Sequence, residues 1–235
     1  MAFYKFLNED GTSCNGGSGK WNLPENGQPG EWMPYIETLK PCESGYHLCE
    51  ESDLIEWIGP TLYLVEGRGK SIRDVNKTVF QEARLIQRVE NWNVRTVRLF
   101  ACDCAERVLT IFENEYPSDT RLREAIRVAR LFADGEASEN ELKAASAAAS
   151  ADWASWAAAS AAASAAASAD WASWAASRAA ASAAAGVAWA TTWAADSVAR
   201  AVWAASRAAD WASWAADSAA EREWQTRRLM EYLKT

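Results

Sequence analysis

One histidine, His47, serves the whole chain of 235 residues. Histidine is the commonest general base because its ordinary pKa lies nearest neutrality. Any catalytic plan of the usual kind must therefore pair His47 with a carboxylate. Cations are also scarce: 24 Lys and Arg stand against 32 Asp and Glu, for a net charge of −8. Residues 140–235 hold 8 of the cations and 9 of the acids, so the excess acid sits in the first 139 residues. Phosphate backbones demand clustered Lys and Arg, and nucleic acid is not an expected partner. Proline is sparse, and none follows Pro117, so no ring interrupts a helix in the second half. The five cysteines (Cys14, Cys42, Cys49, Cys102, Cys104) are odd in number and lack a disulfide-framework spacing, which fits a reducing cytoplasm. The start, MAFYKFLNEDG, has no basic segment followed by an apolar run, so no secretory signal is read there. Long charge-free apolar stretches are missing too. Asp152, Asp170, Arg178, Asp196, Arg200, Arg207, Asp210 and Asp217 interrupt the Ala-rich region, and each would cost roughly 2.5–3.5 kcal/mol at a bilayer centre. A soluble chain with no membrane partner is expected.

What is present divides near Asn140, where a mixed composition gives way to alanine and serine. The expected class is α+β: a small mixed domain over 1–92, then an all-α domain over 97–235 built as a helical bundle or stack. In the first part, residues 3–7 read as a strand ended by Asn8-Glu9-Asp10-Gly11. Residues 45–49 make a short strand, and Ser52 or Asp53 caps a short helix carrying Leu54, Ile55, Trp57 and Ile58. The β-branched and apolar run 61–66 is a strand ending at Gly67, whereas 79–89 fits strand or helix equally.

Three chemical patterns stand out here. Gly16-Gly17-Ser18-Gly19-Lys20 resembles a phosphate-binding loop, but that motif wants Gly where Cys14 stands and Ser or Thr where Trp21 stands. A flexible loop is the better reading. Cys42, His47 and Cys49 offer three zinc ligands without a fourth, and a structural site needs four, so no metal and no cofactor is expected. A Gly-x-His strand with Glu66 on another strand resembles the NAD-binding arrangement of ADP-ribosyltransferase-like folds. If the chain is an enzyme, His47 and Glu66 are its catalytic pair; a hydrogen-bonded structural histidine is the plainer reading.

The run Tyr4-Lys5, Trp21, Pro24, Gly30-Glu31-Trp32, Cys42, Gly45-Tyr46-His47-Leu48-Cys49, Val65-Glu66-Gly67, Lys77, Ala83-Arg84-Leu85 resembles an uncharacterised domain of phage and bacterial proteins. That domain is often fused to repetitive C-terminal regions. The resemblance covers residues 1–90 and implies a phage or bacterial source and, if phage-encoded, a host-cytoplasm location. It implies no activity.

From Val97 the apolar spacing becomes helical: Val97, Phe100, Ala101, Cys104, Val108, Ile111 and Phe112 share one stripe, and Pro117 stops it. Ser118 or Asp119 caps a second helix with the stripe Leu122, Ala125, Ile126, Ala129 and Phe132, closed by Asp134-Gly135. Ser138 and Glu141 form a capping box for a third. Cys102 and Cys104 point about 200° apart on the first helix, which puts Cys104 in the core stripe and Cys102 off it. The segment Arg98-Leu99-Phe100-Ala101-Cys102-Asp103-Cys104, Arg107-Val108, Arg121, Ala125-Ile126, Ala129, Phe132-Ala133-Asp134-Gly135, Glu141-Leu142, with the Ala-rich stretch and the closing Gln225 to Leu229 helix, is similar to a type-five-like, Ala-rich helical family of immunity proteins of polymorphic toxin systems. The resemblance covers 97–235. It implies a helical fold without a known catalytic residue.

Residues 144–220 contain 41 alanines, and Ala-Asp-Trp-Ala-Ser-Trp-Ala occurs at 151–157, 169–175 and 209–215. Trp153, Trp171 and Trp189 are each 18 residues apart, five helical turns. Alanine is the best helix former, so the repeat is helical, with breaks expected near Ser150/Asp152, Ser168/Asp170, Gly186 and Asp210. Small faces let backbones approach, and each Trp fills what they leave. The bland role for Trp153, Trp156, Trp171, Trp174, Trp189 and Trp193, and for Trp203, Trp211 and Trp214, is as core knobs, with Arg178, Arg200 and Arg207 paired to nearby Asp. Their functional role would be a ligand platform, indoles stacking on a base or nicotinamide and arginines gripping phosphates.

Three functions follow. The leading one is a non-enzymatic immunity or anti-defence interaction protein whose partner is a toxin or defence component. The second is a sponge for a nucleotide signal in a Trp/Arg-lined pocket. The third is an NAD-using N-terminal domain. Self-association is left open.

Overall fold

The computed structural model describes residues 2–115, 117–150 and 218–234. They fall into two compact units, Met1–Asn93 with Thr226–Thr235, and Val94–Gln225. The expected stack of Ala/Ser/Trp repeats and its helix breaks lie outside the described residues. Among those described, no helix is long and apolar enough to cross a membrane.

The first unit is built on four antiparallel strands in the order β1-β3-β4-β2: β1 Phe3–Leu7, β2 Tyr46–Leu48, β3 Thr61–Asp74 and β4 Lys77–Arg88. The two outer strands meet, because Tyr4 and Cys49 exchange both backbone hydrogen bonds, at 2.8 and 2.9 Å. The sheet thereby closes on itself. Closure needs curvature, and β3 supplies it with irregularities between Leu64 and Val65 and between Arg68 and Ser71. Leu7, Trp21, Leu48, Tyr63, Val65, Phe80, Ala83 and Leu85 form its core.

Two strand expectations are corrected or settled. β3 does not end at Gly67, which pairs with Ala83 in mid-ladder. A Cβ there would lie 2.6 Å from the Phe80 ring, so this glycine makes room for a cross-strand aromatic. The ambiguous stretch 79–89 is strand. Val79, Gln81, Ala83 and Leu85 alternate as its buried face. Gln81 hides the pattern in the sequence; its buried amide donates to Tyr35 Oη at 2.8 Å and Glu37 O at 3.1 Å, while its oxygen accepts the Lys70 N–H at 2.8 Å.

The short helix is 3₁₀, Glu51–Glu56, capped at Glu50 and not at Ser52 or Asp53. Asp53 serves instead as the reach-back carboxylate, accepting the Glu50 N–H at 3.2 Å. It is buried and held by the Arg73 guanidinium at 2.6 and 3.0 Å. Burial alone would raise the Asp53 pKa, but the Arg73 and backbone hydrogen bonds bring it net below the ordinary value.

The second unit contains α1 Val94–Glu115, α2 Arg121–Ala133 and α3 Glu139–Ser150, and the opening turns of α4 Ser218–Lys234. α1 buries Val97, Phe100, Ala101 and Cys104 as the stripe requires; the side chains of Val108, Ile111 and Phe112 lie outside the described residues. Leu99, Cys102 and Ala105 are buried as well, so Cys102 is core although it lies off the stripe. The reason is that α1 packs on two sides. Its Asp103 meets Arg130 of α2 at 2.6 Å, and its Arg107 meets Glu221 of α4 at 2.6 Å. Thr120 occupies the N-cap position of α2, with Asp119 binding the Arg121 N–H at 3.1 Å. Phe132 is only partly buried and lies under the Arg98 guanidinium at 4.7 Å. Gly135 leaves α2 with φ +78°. Ser138 and Glu141 cap α3 reciprocally, at 2.7 and 3.3 Å.

Candidate functional site

In the first unit the strands and loops surround a cavity of about 600 Å³. β1 contributes Lys5, β2 contributes Tyr46 and His47, and Lys77 opens β4. The Gly-rich loop 16–19, Cys42 and Trp57 also line the cavity. Gly16 and Gly17 take positive φ, 79° and 87°.

His47 faces this cavity, but its chemistry is already committed. Its Nε2 accepts the Cys42 N–H at 2.9 Å, an interaction possible because Cys42 adopts φ +67° and turns its amide inward. Burial first, and then the charges of Lys5 and Lys77, depress the imidazole pKa; a hydrogen bond to the Gly45 backbone pulls the other way without prevailing. A neutral ring accepting a backbone N–H is a structural histidine. The same bond occupies the lone pair a metal would need. Because the folded pKa lies below the unfolded value of about 6.5, the contribution of this group is present above that value. It is lost as pH falls through the folded pKa. NMR titration of the imidazole should therefore find His47 still mostly neutral at pH 6.5. His47→Gln should remove that part of the pH dependence of stability; half-protonation at or above 6.5 would contradict the assignment.

Glu66, the proposed partner of His47, is elsewhere. It receives the Arg84 guanidinium at 2.7 Å on an exposed ladder that also holds Arg68 with Glu82 at 2.7 Å. Trp32 lies against both arginines, at 3.9 and 4.7 Å. On β4, the residue opposite His47 is Val79 and the residue opposite Glu66 is Arg84, a distance of about 17 Å along a strand at ~3.4 Å per residue. The structure does not bring the pair together.

Two thiols of the first unit, Cys14 and Cys49, are not activated either. Burial raises Cys14 and pushes Cys49 up to about 12, outweighing the attraction of Lys5. Among the described residues no cluster of His, Cys, Asp or Glu could hold a metal ion.

Among the described residues of the second unit, several charged side chains are joined to one another. Arg130 bridges Asp103 and Glu106, Arg95 holds Asp134 at 2.6 Å, and Arg123 holds Glu113. Burial drives Cys102 up to about 12 and Cys104 well above the ordinary thiol value. Most buried of the charges among the described residues is Glu221, held by Arg107 Nε at 2.6 Å and by Gln225 Nε2 at 3.3 Å, with the Arg107 guanidinium also 4.7 Å from the Trp224 ring. Nothing in the sequence analysis singles out Glu221. An acidic residue four before Gln225 in the closing helix was the available signal.

The model of the Imm-5 like putative immunity protein family matches residues 87–232, more than half the chain. The chain belongs to that family. This immunity-family region begins at the end of β4, ten residues ahead of the stretch expected from sequence, and takes in α1, α2, α3 and most of α4. Nothing matches among curated proteins or among solved structures. The buried pairs Arg107–Glu221 and Asp103–Arg130 both lie inside the immunity-family region, whereas the cavity of the first unit lies ahead of it. The expected ligand platform, Trp153 to Trp214 with Arg178, Arg200 and Arg207, falls within the matched region but outside the described residues.

Proposed function

We propose that this protein is a non-enzymatic, immunity-type binding protein whose helical region occupies a protein partner, a toxin or a component of a defence system. The family match over 87–232 carries the reading. The state of the described ionisable groups supports it. His47 is neutral and bound, Glu66 is ion-paired far from it, and burial holds Cys14, Cys49, Cys102 and Cys104 as thiols. Each is occupied in maintaining structure, and no nucleophile stands beside a base in the manner acyl or glycosyl transfer needs among the described residues. Expressed from a phage genome, the same binding would act as anti-defence.

Growth provides the test. The full chain is used to capture partners from bacteria expressing a panel of contact-dependent toxins, and each captured toxin is then expressed with and without it. Immunity predicts that growth is restored and that the two proteins co-elute as a defined complex. Rescue without complex formation, or consumption of NAD by the purified chain, would replace the binding role with an enzymatic one.

A further inference from the structure

We propose that the cavity of the first unit binds a small phosphorylated molecule of mononucleotide size, its phosphate held between Lys5, Lys77 and the loop 16–19. The proposal concerns a unit that precedes most of the family-matched region and does not rest on the immunity reading.

Charge is the first argument. The Lys5 ammonium is enclosed, and that enclosure lowers its pKa. It donates to one carbonyl, His47 O, at 3.1 Å, although an ammonium has three donors. No ion pair to Lys5 exists among the described residues. Buried charges are normally paired, so this one calls for an anion from outside the chain. Lys77, whose side chain is 8% exposed, meets Asp74 at 3.2 Å. Of the acids near the cavity, Glu43 is taken by the exposed Lys40 at 2.8 Å. Asp74 is thus the one carboxylate against these two ammonium groups among the described residues, and it contacts Lys77. Aromatic rings are their other side-chain neighbours, Trp21 at 5.6 Å from Lys5 and Trp57 at 5.1 Å from Lys77.

The loop is the second argument. The N–H groups of Gly16, Gly17, Ser18 and Gly19 donate to no acceptor among the described residues, while the carbonyl of Gly19 is used by Ser13 at 3.0 Å. Successive free backbone donors beside two lysines form an anion-binding concavity. This is not the motif that Cys14 and Trp21 ruled out in the sequence. No helix follows the loop, and its lysine partners come from β1 and β4.

Volume and lining set the ligand class. About 600 Å³ lies in the range of small-molecule sites, roughly 300–1,000 Å³, and an inorganic anion would leave most of it unfilled. Trp57 and Tyr46 supply aromatic surface on which a base can rest.

Isothermal titration of the full chain with AMP, ADP-ribose and inorganic phosphate tests the proposal. AMP or ADP-ribose should bind with one-to-one stoichiometry and more tightly than phosphate. Lys5→Met should weaken binding at least about tenfold, the loss of one charge-assisted hydrogen bond. Because Lys5→Met could disturb folding, Ser18→Asp provides a second variant. Ser18 is exposed on the loop, and a carboxylate there should abolish binding while the circular dichroism spectrum is unchanged. Ligand should also raise the pKa of His47, since a phosphate offsets the lysine charges that depress it. Absence of binding by all three probes at millimolar concentration overturns the proposal. So does binding that Ser18→Asp leaves intact, which would place the ligand elsewhere in the chain.

Discussion

Replacing Gly30 by alanine should destabilise the N-terminal unit by about 3 kcal/mol or more, at the upper end of what overpacking costs. Gly30 is buried between two backbone segments. Its N–H donates to Leu85 O at 2.9 Å, and a Cβ built on it would lie 2.0 Å from the carbonyl oxygen of Asn22 and 2.9 Å from the carbon. No rotamer of a neighbour can relieve a contact with backbone. Either the loop over 22–30 leaves β4 or the strand shifts, and the core residue Leu85 is disturbed in both cases. Two compact units need not unfold as one transition, so hydrogen exchange over β4 is the suitable measurement. Protection of the β4 amides should fall in G30A while α2 and α3 exchange as before. Unchanged protection in β4 would show that the approach of Asn22 does not constrain position 30.

Arg107→Ala should cost the helical unit about 2–3 kcal/mol, at or just under the lower end of the roughly 3–5 kcal/mol for breaking a fully buried ion pair. The asymmetry of the pair sets this figure: the Glu221 side chain is 1% exposed and that of Arg107 is 42% exposed. Deleting the carboxylate frees a guanidinium that can turn to water. Deleting the guanidinium strands a buried carboxylate beside one amide, Gln225 Nε2, and removes the cation lying against Trp224. Glu221→Gln should therefore be milder than Arg107→Ala. The double variant should recover part of the loss, because a neutral amide tolerates burial without a counter-charge. Denaturation followed by the helical signal at several pH values measures this. A loss in Arg107→Ala that is no larger than in Glu221→Gln, or that is fully additive in the double variant, would deny the pair its role.

Much of the fold was legible in the sequence because its punctuation is local. The Asn8-to-Gly11 turn ends β1 at Leu7, Asp134-Gly135 closes α2, and Ser138 with Glu141 opens α3. Each depends on residues within a few positions of one another. What escaped was decided by distant neighbours. Gly67 reads as a terminator until Phe80 is seen against it, and Gln81 reads as a surface residue until Tyr35 and Glu37 satisfy its amide. Cys102 falls off the helical stripe, yet is buried because α1 is covered on two sides. For the candidate site, the single histidine does line the cavity, but its partnering by a backbone amide from Cys42 rests on a left-handed residue that no spacing reveals. Lys5, a cation within an apolar strand, is the sequence signal of the proposed phosphate site.

The meeting of Tyr4 with Cys49 also orders events in time. The hairpin joining β3 to β4 turns within four residues, Asp74 pairing with Lys77, and loses little chain freedom when it forms. Joining the first strand to it spans a far longer loop, and the last seam between the outer strands gains nothing until both are in place. Refolding should begin at the hairpin and finish at that seam, leaving an open-edged intermediate as the species most exposed to self-pairing.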